Sequence, residues 1–533
     1  MTVHDASVGR EPSALARFAP ARLGAVSWLV PPGLAGQVAE QARSEAAAAA
    51  ARAGVPLPAR RVRLLPAVLG VYFVLGLCLF SWLSYQEVLR GLAGGPVPAA
   101  TALTGLRRRL GPRPFELLLE RVAGHLSPGA APWSHVCGLL AVAWDGTTLK
   151  LPASPENRAW AGPPHGGRHY PRARLVALAA CGTRCLIGAA AGPSRTGERA
   201  LAAGLTGYLR AGMLLLADRG FYSWGLWHAA AATGAHLLWR VPAGLHLPVL
   251  RELPDGSFLA RVDNPREKAN RSRKNGSRRR AGQPPDTSPL PGHATVRVIE
   301  FTVTVTGDDG SSRTQRYRMI TTLLDCRAAP AGELAAAYAR RWAAETCFAE
   351  LKARLRGPGR ILRSRTPELA LQETWAYLIA YQAVRAVIAR AAASAGLDPA
   401  RLSFTTALNA VRATAARRPA RALAHADAAL LASPVPCRPG RVRPRQLREF
   451  PAYPRTPAKP KPAPRNATYT ITTTPPRTTG THTTRPAQTP HQAAKTATLT
   501  SWRCAYLVTM ITTIVSRSVP PPAKQRRGST SRG

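Results

Sequence analysis

Uncharged apolar runs and two kinds of periodic pattern divide this chain of 533 residues. The longest run, LLPAVLGVYFVLGLCLFSWLS at 64–84, is long enough to cross a bilayer, with Arg60, Arg61 and Arg63 as a positive flank. No second span balances it, and 85–90 carries the helical pattern on into charge, so it is expected to be a buried helix. Helical patterning at 36–53 precedes it, and amphipathic patterning at 101–126 follows. From 138 the pattern changes to short apolar runs between turns. GLLAVAWD (138–145) closes on Asp-Gly and predicts a buried strand and a turn. RLVALAACG (174–182) and RCLIGAAAG (184–192) predict two more strands, and MLLLAD (213–218) and AHLLWRV (235–241) a fourth and fifth. Helices are predicted between them at 195–212 and 223–234. Residues 242–325 alternate with period two at 257–262, 295–307 and 316–324, with a hairpin turn at Asp308-Asp309-Gly310. Helical patterns return at 338–352, 368–396 and 403–419. Beyond 450 the chain is rich in Pro, Thr and Arg, has no acid after Glu449, and is expected to be disordered. The apolar stretch 505–515 within it is too short for a membrane span.

Three strands, a helix, a strand, a helix and a strand form the chain order of an RNase H-like core. Asp145 and Asp218 then fall at the C-terminal ends of strands, where α/β sheets place their sites. That topology puts the two strand ends side by side. On the predicted helix at 338–352, Glu345 stands seven residues after Tyr338 and seven before Lys352, almost two turns each way. Tyr338, Arg341, Glu345 and Lys352 therefore share one stripe, while Trp342, Phe348 and Leu355 supply apolar surface beside it. A stripe of hydroxyl, guanidinium, carboxylate and ammonium groups is expected to line a cleft.

Charge narrows the partner. Lys and Arg number 73 against 28 Asp and Glu, a net charge of +45, which points to nucleic acid. A GC-rich genome also enriches Arg and Ala, so part of this excess can be compositional. The segment 264–285 is basic and bears Gly, Asn and Pro, and it reads equally as a disordered stretch or as a clamp on a DNA backbone. Arg107, Arg108 and Arg109 read as phosphate contacts or as a solvated turn. The eight cysteines are scattered without zinc or redox spacing, and several lie in apolar runs, which suits a reduced cytosolic protein. The N-terminus carries acids and no apolar core, unlike a signal peptide. Of the remaining candidate ligands, Glu198 reads as an acid at a helix start. Asp325 lacks neighbouring Tyr, Arg and Lys, and His165 and His169 read as a surface loop.

Tyr338, Arg341, Glu345 and Lys352, with Asp145 in WDGTTLKLP and Asp218 in ADRGF, resemble the signature of the DDE transposases of bacterial insertion sequences, in the insertion-sequence-4 group. The resemblance covers about 67 to 403. It implies that Asp145, Asp218 and Glu345 are the catalytic carboxylates and hold Mg²⁺, with Mn²⁺ able to substitute. It assigns Tyr338, Arg341 and Lys352 to the phosphate backbone, Arg240 to phosphate, and Trp239 or Trp342 to stacking on an unpaired base. A departure is Ala153-Ser154-Pro155 after LKLP, where many relatives carry Asp; the chemistry is not expected to depend on it. The expected fold class is α/β: an RNase H-like catalytic core with a β-rich insertion, a small all-α domain before it, and a helical segment and disordered tail after it. The boundaries are a flexible leader 1–20, the N-terminal helical domain 21–128 and the catalytic domain 136–395 with its insertion at 242–325. A C-terminal helical segment 396–449 and the basic tail 450–533 follow. The implied activity is metal-dependent cleavage and strand transfer of DNA. The partners would be double-stranded inverted-repeat ends and target DNA, bound by a homodimer in a synaptic complex. The place would be the bacterial cytoplasm at the nucleoid, with no membrane. The alternative is a catalytically inactive DNA-binding remnant of a mobile element.

Overall fold

The computed structural model describes residues 23–436, except 56–64, 93–96, 128, 130, 163–169, 289, 291, 308–309 and 311, and also 447–448, 454–455, 467–473 and 496–498. Arg60, Arg61, Arg63, His165, His169, Asp308, Asp309 and the apolar stretch 505–515 lie outside the described residues.

The N-terminal region is helical: α1 (Pro32–Arg52), α2 (Ala67–Leu79), α3 (Tyr85–Leu92), α4 (Ala100–Leu110) and α5 (Arg113–Val122). The long apolar run forms α2, and eleven of its residues are buried. Gly70 is what lets α4 close on it, because a Cβ there would stand 2.5 Å from Leu110 Cδ1. Among the described residues no helix is long and apolar enough to cross a membrane. Arg107 is a correction to the phosphate-contact reading. It is 2% exposed and donates to Gln372 Oε1 at 2.9 Å, Tyr85 Oη at 2.5 Å and Ser364 Oγ at 2.8 Å. Arg108 and Arg109 are exposed.

The central sheet holds β1 (Leu139–Lys150), β2 (Arg172–Ala180), β3 (Leu186–Pro193), β4 (Met213–Ala217) and β5 (His236–Arg240), in the order β3-β2-β1-β4-β5. β1, β4 and β5 are parallel; β2 runs antiparallel to β1, and β3 turns back antiparallel to β2, so β1, β2 and β3 form a meander. This is the RNase H-like arrangement. β1 and β4 read as uninterrupted apolar runs because both faces are covered. The helix α6 (Pro155–Ala161) follows β1, and Ser154 caps it by accepting from Asn157 N at 3.3 Å, so the departure Ala153-Ser154-Pro155 is a helix start. The helix expected at 195–212 is shorter than its pattern: α7 (Glu198–Ala203) and a 3₁₀ turn (Thr206–Tyr208) share that stretch. α8 (Trp224–Ala231) lies between β4 and β5.

The insertion extends the same sheet. β6 (Val249–Glu252) pairs with β7 (Phe258–Asp263), β7 with β8 (His293–Gly307), β8 with β9 (Ser312–Thr321), and β9 with β5. The basic segment after β7, read as a disordered stretch or a clamp loop, is instead a helix, α9 (Pro265–Arg280). The tail also departs from disorder in short strands, the longest of them at 467–473. β10 (Ala467–Thr473) pairs with β8 from Ala467↔Gly307 to Thr473↔Phe301 and buries Ile471. It takes the side of β8 that β7 leaves open.

The signature segment is one helical rod of three kinds. α10 (Ala331–Tyr338) passes into a 3₁₀ turn (Ala339–Arg341), then α11 (Trp342–Ala349), then a π-helical stretch (Glu350–Leu355). Behind it runs α12 (Pro367–Ser394), buried almost throughout, with Thr366 as its N-cap. The pattern at 403–419 separates into α13 (Phe404–Ala413) and α14, which starts at the far end of that pattern (Pro419–Leu431). One hydrophobic cluster runs from Leu23 through α2 and α12 to Leu430, so the N-terminal and C-terminal helices share a core.

Candidate active site

β4 pairs with β1 only as far as Ala143↔Leu216, whereas β1 continues along β2 to Lys150↔Arg172. Asp145-Gly146 is therefore not a turn but the middle of a strand, a correction to the sequence reading. The partner that holds the strand extended is β2. Two residues further along the β1–β4 register, Asp145 comes level with Asp218. Strand alternation sets their direction. Ala141, Ala143, Leu214 and Leu216 face a cluster that contains Tyr338, Trp342 and Ala343, while Trp144 and Ala217 face the opposite one. Asp145 and Asp218 thus share the face covered by the signature rod.

The rod brings its polar groups to that face. Tyr338 Oη donates to Asp218 Oδ1 at 3.3 Å, and Arg341 Nη2 donates to Glu345 Oε1 at 3.1 Å. Arg240 Nη1 reaches within 3.8 Å of Asp218 Oδ1, and its guanidinium lies 4.6 Å over the Tyr317 ring. Tyr317 and the Arg219 N–H that binds Asp218 were not singled out from sequence. The strand alternation of RYRMITTLL marked Tyr317 only as one face of β9. Lys352 stands near Asp145 and Arg356; burial and Arg356 lower its pKa while Asp145 opposes them.

Asp145 and Asp218 differ in charge preference. Burial pushes Asp145 up to about 7; Arg341 opposes this, and Glu345 and Glu198 add to it. For Asp218 burial acts in the same upward sense, but Arg341, the Arg219 N–H, Arg240 and Tyr338 together hold it below the usual carboxylate range. Arg341 is 5% exposed and interacts with Asp218, Asp145 and Glu345 alike. Its Nε has no hydrogen-bond partner among the described residues. Glu198 lies on the other face of β1: it pairs with Arg174 at 2.8 Å and passes over Gly146, where a Cβ would stand 2.6 Å from its Cδ.

Two aromatic assignments change. Trp239 is 0% exposed, packed against Trp144 and Trp227 on the opposite face of the sheet, and Trp342 is 4% exposed against the Arg341 guanidinium at 5.1 Å. Both indoles belong to the core, and neither offers a face for a base to stack on.

The raised pKa of Asp145 has a stability consequence. Its folded pKa lies above the unfolded value of 3.8, so between about 4 and 7 the folded chain binds more protons. Stability from this group falls as pH rises through that window, and the full penalty applies above 7. Without divalent ions, Asp145→Asn is expected to stabilise the fold at pH 8 by on the order of 1–2 kcal/mol, and by less at pH 5. Melting midpoints at both pH values measure this; an equal effect at the two would contradict it.

Five strands in the order 3-2-1-4-5, with one acid within β1 and a second, level with it, just past the end of the parallel β4, define an RNase H-like nuclease fold. The family described as transposase DDE domain matches residues 137–383, and the family described as insertion element 4 transposase N-terminal matches residues 37–120. The transposase InsG for insertion sequence element IS4 of Escherichia coli K12 is 29% identical over 359 residues, 65% of this chain and 75% of that protein. The putative transposase InsZ of the same strain is 31% identical over 157 residues, 29% of this chain and 52% of that protein. Among solved structures, a piggyBac transposase synaptic complex with hairpin DNA aligns over 69% of this chain and 74% of that one, with a TM-score of 0.36 and 10% identity. That likeness is too remote to carry an argument. The chain belongs to the DDE transposases of the insertion-sequence-4 group, enzymes that cleave DNA and whose family generally works with divalent metal ions.

Among the described residues no three His, Cys, Asp or Glu side chains are gathered tightly enough to enclose an ion. The donor chemistry nonetheless fits a hard cation. Three carboxylates share one face, and Asp145 needs a nearby positive charge to ionise fully at neutral pH.

Proposed function

We propose that the chain binds the inverted-repeat ends of an insertion sequence as a homodimer, cleaves them, and joins the freed 3′ ends to target DNA in the cytoplasm at the nucleoid. The observation that carries this reading is the level placement of Asp145 and Asp218 under a rod bearing Glu345, with Arg341, Arg240 and Lys352 around them. Asp145, Asp218 and Glu345 would hold Mg²⁺, or Mn²⁺ in its place. When bound, such ions stabilise the entering and leaving oxygens of phosphoryl transfer.

The chain's own residues prepare that step. Tyr338 holds Asp218 in orientation through its hydroxyl. Arg341 sets its buried positive charge beside all three carboxylates, and Arg240 and Lys352 add positive charge on either side. In the first reaction water attacks the phosphorus at the element end. The bond to the end's 3′ oxygen breaks, that oxygen takes up a proton, and a 5′ phosphate stays on the flank. In the second, the 3′ hydroxyl attacks a target phosphodiester, loses its proton, and a target 3′ hydroxyl leaves. The region 21–128 would recognise the ends, 136–395 would carry the chemistry with its insertion at 242–325, and 396–449 would brace it.

Incubation of labelled end duplex with a supercoiled plasmid and Mg²⁺ tests the reading. Covalent joining of the 3′ end to plasmid is expected, together with end binding whose log–log salt slope is about −0.9 per neutralised phosphate. End binding without cleavage or joining would leave only a DNA-binding protein.

A further inference from the structure

We propose that α9 is a sequence-independent anchor for duplex DNA, gripping the phosphate backbone of a segment remote from the scissile bond. This rests on the reading of the chain as a transposase that binds element ends.

The helix has sixteen residues and none is buried. Eight are Lys or Arg and one, Glu267, is acidic. A helix that is polar all round gains nothing from apolar packing, and like charges at close spacing oppose it. Its order comes from polar bonds along one face. Glu267 Oε2 accepts from Gly292 N at 2.7 Å, and Arg271 donates to the Ser288 carbonyl. Asn275 exchanges two bonds with the Asp286 backbone at 3.1 and 2.8 Å, and Arg278 Nε donates to Pro284 O at 2.7 Å. The spacing 267, 271, 275, 278 is one helical face, stapled to the returning chain. Asn264 accepts from Arg266 N at 3.0 Å and caps the start.

The opposite face carries Arg266, Arg273 and Arg280, all exposed and seven residues apart. They form a stripe about 21 Å long. Lys268, Lys274 and Arg279, also exposed, flank it. No aromatic or large apolar side chain interrupts the stripe, so it lacks the anchors on which protein interfaces depend. A duplex backbone, with one negative charge per about 1.7 Å of axis, matches a long stripe of pure positive charge.

The sheet register locates the stripe. β7 runs from Phe258↔Val298 to Asp263↔His293, and β8 stands level with β5 at Arg297↔Thr321 and Thr321↔Leu238. The helix therefore leaves the sheet at the end away from Arg240 and Asp218. DNA held there lies away from the cleaved phosphate, and its loss should weaken binding without slowing the chemistry.

The test uses the full chain carrying Arg266→Gln, Arg273→Gln and Arg280→Gln together, with a matched triple Arg→Lys variant. Affinity for a labelled end duplex is measured across salt, and single-turnover cleavage at saturating duplex with Mg²⁺. The Gln variant is expected to bind at least about tenfold more weakly at 150 mM salt, with a log–log slope shallower by about 2–3. Its saturated cleavage rate should match wild type, and the Lys variant should bind like wild type. Because no residue of the helix is buried, the melting midpoint should not move. Unchanged affinity and slope in a Gln variant that still cleaves would overturn the anchor and leave the transposase reading intact. A fall in the saturated cleavage rate would overturn the remote placement. A wild-type chain that neither binds nor cleaves end duplex would remove the transposase reading and the anchor with it.

Discussion

Glu345→Ala is expected to lower single-turnover cleavage of an end duplex at least about 10³-fold, a loss of about 4 kcal/mol of transition-state stabilisation, while end binding is kept. Glu345 is the acid that the rod adds beside Asp145 and Asp218. Its side chain is about a third exposed, so truncation leaves no large cavity, and the rod is held by Trp342, Phe348 and Leu351 on other faces. Removing a negative charge beside Arg341 makes the cleft more positive, so affinity for DNA should hold or rise. Gel-shift affinity and quenched-flow cleavage on the same preparation separate the two effects. Loss of binding in step with cleavage would mean that Glu345 serves the fold rather than the chemistry.

Arg107→Ala is expected to destabilise the fold by about 3–5 kcal/mol. The buried guanidinium joins α4 to the start of α12, bonding Gln372, Tyr85, Ser364 and the Leu369 carbonyl. Gln372 in turn donates to the Arg107 and Gly111 carbonyls at 2.9 and 2.8 Å, and Ser364 donates to Glu373 Oε2 at 2.7 Å. Truncation leaves several of these groups buried and unsatisfied and opens a cavity between the N-terminal helices and the helix behind the active site. Chemical denaturation should show the loss, while Arg108→Ala, at an exposed position, should change stability by less than about 0.5 kcal/mol. Equal effects at the two positions would contradict the network.

The contrast between these two arginines shows where the sequence was legible and where it was not. Arg107, Arg108 and Arg109 look alike in the chain; only the packing of α4 against α12 turns the first inward. The five core strands were readable because β1 and β4 are covered on both faces and so lack polar alternation. The carboxylates were readable for the same reason, as polar residues closing apolar runs. What the sequence concealed depends on distant partners. β1 runs past Gly146 because β2 holds it, not because of local propensity. α9 has no apolar period to betray it, since its staples come from 284–292. The strand at 467–473 is legible only once β8 presents an open edge to it. Trp239 and Trp342 looked available beside polar neighbours, yet strand and helix geometry turn both indoles into the core.

The most direct measurement is cleavage of a labelled duplex carrying the element's own end by the wild-type chain, with and without Mg²⁺. Nicking that exposes a 3′ hydroxyl at the element boundary, present with Mg²⁺ and absent with a chelator, is the predicted result. End duplex bound at full occupancy with Mg²⁺ and left uncut would contradict the assignment of Asp145, Asp218 and Glu345 as a working site.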